Sequence, residues 1–585
     1  MSYKLSTRDE QQKREPLGKA LKRLAPLVAA ERKKMLLAFG AVMITSAATL
    51  SSPYVIGQTV DRYITHGDFS GVVRNGLILL AIYVVALFTS YIQTRTMGGV
   101  GRRILFNLRN TLFTKLQDLP VAFFNQNRSG DLISRINNDT DKLNQFFSQA
   151  LMQFVANSFL ILGSGIMLLV LNFRLGGAAL LPALAVLIIT QAISGWVKRA
   201  NFTSLQTLGG LSGEIQESLA NFKVVVAFNR LDYFRNKFND ANARNYAASV
   251  RAGIASNIFI PLYGLAYNIA QLVVLAFGIW MITRGDLTTG LLIGFLLYVN
   301  NFYNPLRQLA AAWASLQLAL AALDRISEVL ALQSDMAVLP AKERKSTALL
   351  EFDHVSFAYP DGGDVLTDVS LRLERGRTYA LVGPTGGGKS TTASLMARLY
   401  DPTVGEVRLE GRDIRSFTSA ERAEKVGFIP QEPFLFTGTV RDNIVYGNAR
   451  LVGMTDAELI GLIEEAKLSA LLTRFDEGLQ TKVTSSGDSV SLGQKQLIAF
   501  IRAVLRDPEL LILDEATANI DTVTEQLLDD ILEHLPSSTT KVIIAHRLNT
   551  ISDADEIFFV NAGAVTDAGS MEHAVHMLLN NAMAS

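Results

Sequence analysis

The chain has 585 residues, of which 49% are hydrophobic and only 19% charged, a balance too apolar for a disordered chain and high for a soluble enzyme. That length accommodates several domains, each with its own core. A formal net charge of +1 supplies no global basic field for nucleic acid, zero Cys excludes disulfides, thiolate zinc sites and cysteine nucleophiles, and six His leave little for a His-cluster metal centre.

Residues 1–34 carry ten Lys and Arg and no apolar central region, so no cleavable signal peptide is expected. Within them, 17–27 sets Leu and Ala against Lys19, Lys22 and Arg23, either as an amphipathic helix along the inner membrane surface or as a solvated basic tail. Six uncharged stretches follow, at 35–60, 75–94, 143–173, 175–197, 252–283 and 287–306. About 20 apolar residues cross a bilayer as helix, and six such runs would leave a soluble protein almost no polar helix faces. Six membrane spans are therefore predicted.

The connections alternate between short and long. The short ones hold only Arg62, Arg74, Arg174 and Arg284, whereas 95–142 and 198–251 hold eight basic residues each. Lys and Arg concentrate on the cytoplasmic side, which places both termini and both long loops in the cytoplasm. Each long loop has a helical pattern on either side of a break, and half of its length would project roughly 36 Å beyond the membrane at 1.5 Å per residue. Leu119-Pro120 and Phe123-Phe124 mark the first stalk tip, and 227–234 the second. Within the spans, Asn157, Gln191, Tyr263, Tyr267, Asn268, Gln271, Tyr298, Asn300, Asn301 and Tyr303 either face a cavity or bond between helices, since unpaired polar groups facing lipid are costly. No Asp, Glu, Lys or Arg lies mid-span, which favours an amphipathic organic molecule or lipid over a small ion.

From about residue 349 the pattern changes to short β-rich runs at 350–357, 378–382, 426–429, 510–513 and 541–544 with helical segments between them, an α/β arrangement. The string Gly383, Pro384, Thr385, Gly386, Gly387, Gly388, Lys389, Ser390, followed by Thr391, stands directly after one of these strands and before a helical segment. It fits a phosphate loop: glycines let backbone N–H groups close around phosphates, Lys389 reaches the β and γ phosphates, and Ser390 can ligate Mg²⁺. A second strand ends in Asp514-Glu515, the order expected when one carboxylate supports Mg²⁺ and the next polarises an attacking water. His546 closes another strand of the same sheet, where ligands collect at strand carboxyl ends. The expected organisation is a cytoplasmic segment at 1–34, a membrane domain at 35–332, a linker at 333–348 and a nucleotide-binding domain at 349–585.

With these motifs in this order the chain resembles the ABC transporter family, specifically a bacterial exporter half-transporter: a six-helix α transmembrane domain fused to a C-terminal α/β P-loop NTPase domain. The first stalk string, from Leu119-Pro120 through Gly130-Asp131-Leu132 to Ser134-Arg135, is similar to the family's first intracellular loop. The resemblance implies that Tyr359 stacks on adenine, Gln431 senses Mg²⁺ and the stalks, Glu515 is the general base, Asp521 belongs to the loop after it, and His546 holds the γ-phosphate. Ser491, Gly493 and Gln494 match the signature loop, which in the family contacts ATP held by the other subunit. One departure stands out, because the loop reads Val490-Ser491-Leu492-Gly493-Gln494, with Leu492 where the family usually has glycine, and Thr484-Ser485 replaces a common Gly-Glu pair. The implied function is ATP-driven export of an amphipathic drug-like molecule, lipid or peptide across the bacterial inner membrane. A heterodimer with a second half-transporter is favoured, and a homodimer that tolerates the variation is the alternative. A lipid flippase, an ATP-gated channel and a fused importer remain as other readings.

Overall fold

The computed structural model describes residues 3–5, 26, 29–342, 344–360, 362–484, 490–514, 522–544, 554–569 and 572–577. By internal contacts the chain divides into two units, one made of 6–116 and 130–331, the other of 1–5, 117–129 and 332–585.

The first unit is helical. Its long elements are α1 (Arg32–Thr59), α2 (Phe69–Gln117), α3 (Leu151–Leu171), α4 (Phe173–Ala220), α5 (Leu231–Asn257), α6 (Phe259–Thr283) and α7 (Thr289–Ala331). Six helical segments among the described residues are long and apolar enough to cross a membrane. The turns between them are short where the sequence is short; Asn172 alone separates α3 from α4 and caps the latter by accepting from the Leu175 N–H at 3.1 Å. At 1.5 Å per residue, the 48 residues of α4 run about 72 Å, more than twice the hydrocarbon thickness of about 30 Å. Its polar half therefore lies outside the bilayer and forms a stalk. None of residues 76–96 of α2 is buried, so this apolar surface needs lipid or a second chain to cover it.

The second stalk tip sits slightly earlier than the sequence pattern indicates: α4 ends at Ala220, a short helix covers Phe222–Ala227, and a turn with Asn229 at φ 51° leads into α5. Asn tolerates this left-handed backbone. At two tyrosines the structure shows bonding between helices. Tyr298 is fully buried and donates to the Leu50 carbonyl at 2.7 Å, and buried Tyr303 donates to the Ala179 carbonyl at 2.9 Å. Ala179 on α4 leaves room for the Tyr303 phenol of α7 to reach its carbonyl, and the Tyr298 phenol crosses from α7 to α1. Tyr267, Gln271 and Asn300 instead share one half-buried cluster, in which Tyr267 accepts from Gln271 at 2.7 Å and from Asn300 at 3.1 Å.

The second unit carries two main sheets. Strands β1 (Ala348–Ala358), β2 (Asp364–Glu374), β4 (Val404–Leu409) and β5 (Arg412–Asp413) form an antiparallel sheet in the order β2-β1-β4-β5. Strands β3 (Thr378–Val382), β6 (Val426–Ile429), β9 (Leu510–Asp514), β10 (Thr540–Ile544), β11 (Glu556–Asn561) and β12 (Ala564–Asp567) form the other, in the order β12-β11-β3-β10-β9-β6. The short pair β7 (Gly438–Thr439) and β8 (Lys482–Val483) stands apart. In the six-stranded sheet all neighbours are parallel except edge strand β12. Tyr379, Ala380, Leu381 and Val382 of β3 are all buried, as expected for a strand covered on both faces.

One edge of this unit is held by charges. Arg375 reaches Glu410 and Glu509 at 2.5 and 2.6 Å, and Lys425 reaches the same two carboxylates at 2.7 and 2.5 Å. Burial pushes the Glu410 carboxyl up, but Lys425 and Arg375 outweigh it and bring its pKa down to about 2. The folded value lies below the unfolded one, so this stabilisation is complete above the unfolded carboxylate value of about 4.3 and is lost as the pH falls through it towards 2. Thermal melts of the full chain in detergent should show Glu410→Gln lowering the melting temperature at neutral pH and flattening its decline below about pH 5; parallel curves for the two proteins would reject the assignment.

Candidate nucleotide-binding site

β3 delivers the chain to the phosphate loop at the carboxyl end of the parallel sheet. Gly386 and Gly388 adopt φ of 82° and 115°, a region that side chains other than glycine rarely enter. A Cβ at Gly387 would stand 2.5 Å from the Val560 carbonyl oxygen, so the loop folds tightly only because that position has no side chain. The loop closes on itself through Gly387 N–H to Pro384 carbonyl at 3.1 Å, then opens α8 (Lys389–Met396), whose first turn is fixed by Thr392 N–H to Gly388 carbonyl at 2.9 Å.

Lys389 is only 5% exposed, and its ammonium donates to the carbonyls of Gly383 and Pro384 at 2.9 and 3.0 Å. The cation is thus held back over its own loop rather than extended into solvent. Ser390 donates to the Asp514 carboxylate at 3.1 Å, which ties the start of α8 to the end of β9. Gln431 follows β6, whose register sets Ile429 beside Leu513, and so lies at the same sheet end as Asp514. Tyr359 bonds Thr391 hydroxyl to hydroxyl at 3.1 Å. Its ring packs edge-on against Phe357 and Tyr400, with centroids at 4.9 and 5.2 Å.

The structure therefore brings Lys389, Ser390, Thr391, Asp514, Gln431 and Tyr359 to one end of one domain. Glu515, Asp521 and His546 lie outside the described residues. Ser491, Gly493 and Gln494 stand at the start of α9 (Leu492–Val504). Ser491 and Gln494 form a reciprocal cap there: the Ser491 hydroxyl accepts from the Gln494 N–H at 3.1 Å, and the Gln494 side chain accepts from the Ser491 N–H at 2.8 Å. Gln494 also donates to the Arg474 carbonyl at 2.7 Å. Leu492 is 38% exposed at the first helical position.

Tyr400 escaped the sequence reading. Asn125 of the first stalk tip donates to its hydroxyl at 2.7 Å, and burial raises its pKa against that bond, keeping the phenol neutral. A tyrosine beside Asp401-Pro402 carries no pattern that distinguishes it from an ordinary half-buried aromatic.

Comparison with known proteins agrees with this geometry. Residues 35–306 match the model of the ABC transporter transmembrane region, and residues 366–518 match that of the ABC transporter. The chain is 33% identical over 553 residues to the uncharacterized ABC transporter ATP-binding protein YfiC of Bacillus subtilis, covering 93% of this chain and 90% of that one. The chain belongs to the ABC transporter family. It is also 32% identical over 503 residues to a fatty acid ABC transporter ATP-binding/permease protein of Mycobacterium tuberculosis, covering 86% of this chain and 79% of that one. With a multidrug resistance ABC transporter ATP-binding and permease protein of Lactococcus lactis it shares 30% identity over 522 residues, 89% of this chain and 87% of that one. Among solved structures it is similar to a bacterial Atm1-family ABC exporter with ATP bound, with a TM-score of 0.76 and 25% identity over 94% of this chain and 97% of the other. The protein is a half-transporter of the bacterial exporter type, and its ABC domain is an ATPase coupled to transport across the membrane.

Proposed function

We propose that this ABC half-transporter exports an amphipathic substrate by alternating access and works as one half of a heterodimer. The observation that carries the reading is the Ser390–Asp514 pair at 3.1 Å, held beneath a glycine loop in a chain with six membrane-length helices. In this reading the loop N–H groups from Gly383 to Thr391 take the phosphates, Lys389 the β and γ phosphates, and Tyr359 the adenine. Ser390 and Asp514, with Gln431, would hold Mg²⁺, and two facing hard oxygen donors suit that ion. When bound, Mg²⁺ neutralises charge on the phosphates. Glu515 is assigned as general base, His546 as the γ-phosphate contact and Asp521 as a dimer-interface residue, all three on family resemblance.

Two features support pairing with a different chain. Leu492 places a side chain where a signature loop brings backbone to phosphate, and Ser491 is engaged in a cap of its own helix. The chain's own site keeps every expected residue, so it would be completed by an intact signature loop from the partner. The uncharged spans and the names of relatives that handle fatty acids and drugs support an amphipath, and the distribution of Lys and Arg supports cytoplasmic termini. A lipid flippase is the second reading, favoured by the same uncharged wall. ATPase assays test the proposal: the purified chain alone should turn over slowly, co-expression with a genomic neighbour of the same family should raise the rate, and Glu515→Gln should abolish it while ATP still binds. Brisk turnover by the single chain would reject obligate pairing, and stimulation that depends on lipid headgroup but not on drug-like amphipaths would favour the flippase.

A further inference from the structure

The segment Tyr3–Leu5 does not trail away from the fold. Tyr3 is 2% exposed and Leu5 is buried. The Tyr3 N–H donates to the Gln126 side chain at 2.7 Å, the Tyr3 carbonyl accepts from Asn127 at 2.9 Å, and the Leu5 N–H donates to Asn127 at 3.0 Å. Both partners belong to the first stalk tip. On its other side the Tyr3 hydroxyl accepts from the Asp335 N–H at 2.9 Å, and Asp335 lies in the linker that follows α7. That linker is itself fastened to the nucleotide domain, through Arg398 to the Ala337 carbonyl and Leu339 N–H to the Arg415 carbonyl, both at 2.9 Å.

The tip needs such a fastening. Extended backbone at Pro120 separates its short helix Val121–Gln126 from α2, and Asn125 of the tip donates to Tyr400 of the nucleotide domain at 2.7 Å. A separate contact in the helical unit joins the same two stretches of chain further along. Arg135, 1% exposed, binds Asp131 at 2.9 Å, Glu328 at 2.7 Å and the Arg325 carbonyl at 2.7 Å, and Arg325 pairs with Asp131 and with buried Asp139. The return limb of the first stalk and the end of α7 are thus clasped by charge in one unit, while in the other the stalk tip is joined to the linker after α7 through the backbone of Tyr3–Leu5 and the Tyr3 hydroxyl.

We propose that Tyr3–Leu5 is a strap that makes the first stalk tip and the α7 linker move as one lever, with Tyr3 as a positioning residue for coupling ATP hydrolysis to the membrane helices. The inference rests on the transporter reading above. Among the described residues the strap's hydrogen bonds go to the stalk tip and the linker and not to the nucleotide site, so its loss should leave hydrolysis running and disconnect it from the spans.

The natural chain has no Cys, so introduced thiols report cleanly in the full-length transporter reconstituted in lipid. Tyr3→Cys with Gln126→Cys should cross-link through a short bifunctional thiol reagent. In a second arm the reporter is Gln308 of α7, an exposed contact between membrane helices whose side chain accepts from Gln153 of α3 at 3.1 Å; Gln308→Cys is labelled with a membrane-impermeant maleimide, with and without ATP and vanadate. ATP should change the labelling rate by roughly fivefold or more, the low end of coupling between sites. Tyr3→Ala should bring that ratio towards one while the KM for ATP stays unchanged and basal turnover stays within about twofold of the parent. Tyr3→Phe keeps the buried ring, loses only the bond to Asp335 and should fall between the two. Absence of the cross-link, or an unchanged labelling ratio in Tyr3→Ala, overturns the strap. A parent protein that failed to hydrolyse ATP would instead strike at the transporter reading.

Discussion

Lys389→Ala is expected to lower ATP turnover by about two to three orders of magnitude, the usual cost of removing one preorganised charge from a transition state. The reason lies in how the side chain is held. Carbonyls at 2.9 and 3.0 Å fix the ammonium over the loop, so little reorganisation is needed when charge develops on the transferred phosphoryl group. Truncation returns those carbonyls to water, and the glycine backbone and the Ser390–Asp514 contact remain. Folding should therefore survive, and a melting temperature near that of the parent separates lost chemistry from lost structure. Lys389→Arg should fail almost as badly, because a planar guanidinium does not fit a pocket shaped for a compact ammonium. Phosphate release by purified protein decides the matter; a loss of less than about tenfold, or about 1.4 kcal/mol, would reject Lys389 as a phosphate ligand.

Leu492→Gly should raise the ATPase rate of the chain purified without a partner by roughly three- to tenfold, equivalent to about 0.7 to 1.4 kcal/mol of barrier. Leu492 is substantially exposed at the first position of α9, so its side chain contributes little to the core and glycine costs less there than mid-helix. What the change removes is bulk at the point where backbone must approach a phosphate. Ser491→Ala provides the contrast. It deletes a helix cap worth about 1 kcal/mol and should lower thermal stability. If Ser491→Ala also abolished activity in the assembled transporter, this loop would be facing a working site. If Leu492→Gly left the single chain as slow as before, bulk at that position would not explain weak self-pairing.

The spans and the phosphate loop were legible because each is written in a short stretch of chain. An uncharged run of about 20 residues predicts a membrane helix wherever it stands, and the glycines between Gly383 and Gly388 prescribe their own backbone. The same locality explains the near misses. The strand ending at Asp514 and the strand before the phosphate loop were readable as apolar runs, but the antiparallel strand Asp364–Glu374, which alternates buried and exposed positions, was not picked out from its surroundings.

Side-chain destinations were a different matter. Tyr298 and Tyr267 look alike in sequence, yet one is sealed against the Leu50 carbonyl and the other collects bonds in a half-buried polar cluster. Nothing local distinguishes them, because the Leu50 carbonyl that takes the one and the Asn300 amide that bonds the other stand on different helices from the tyrosines they meet. Asn125 and Tyr400 are 275 positions apart, and Tyr3 and Asp335 are 332 apart. Chain-local chemistry was sufficient to establish a membrane ATPase of this family. What ties the first stalk tip to the nucleotide domain and to the linker depended on packing between segments that carry no record of one another, since hydrogen bonding and close contact are properties of distance in space and not of order along the chain.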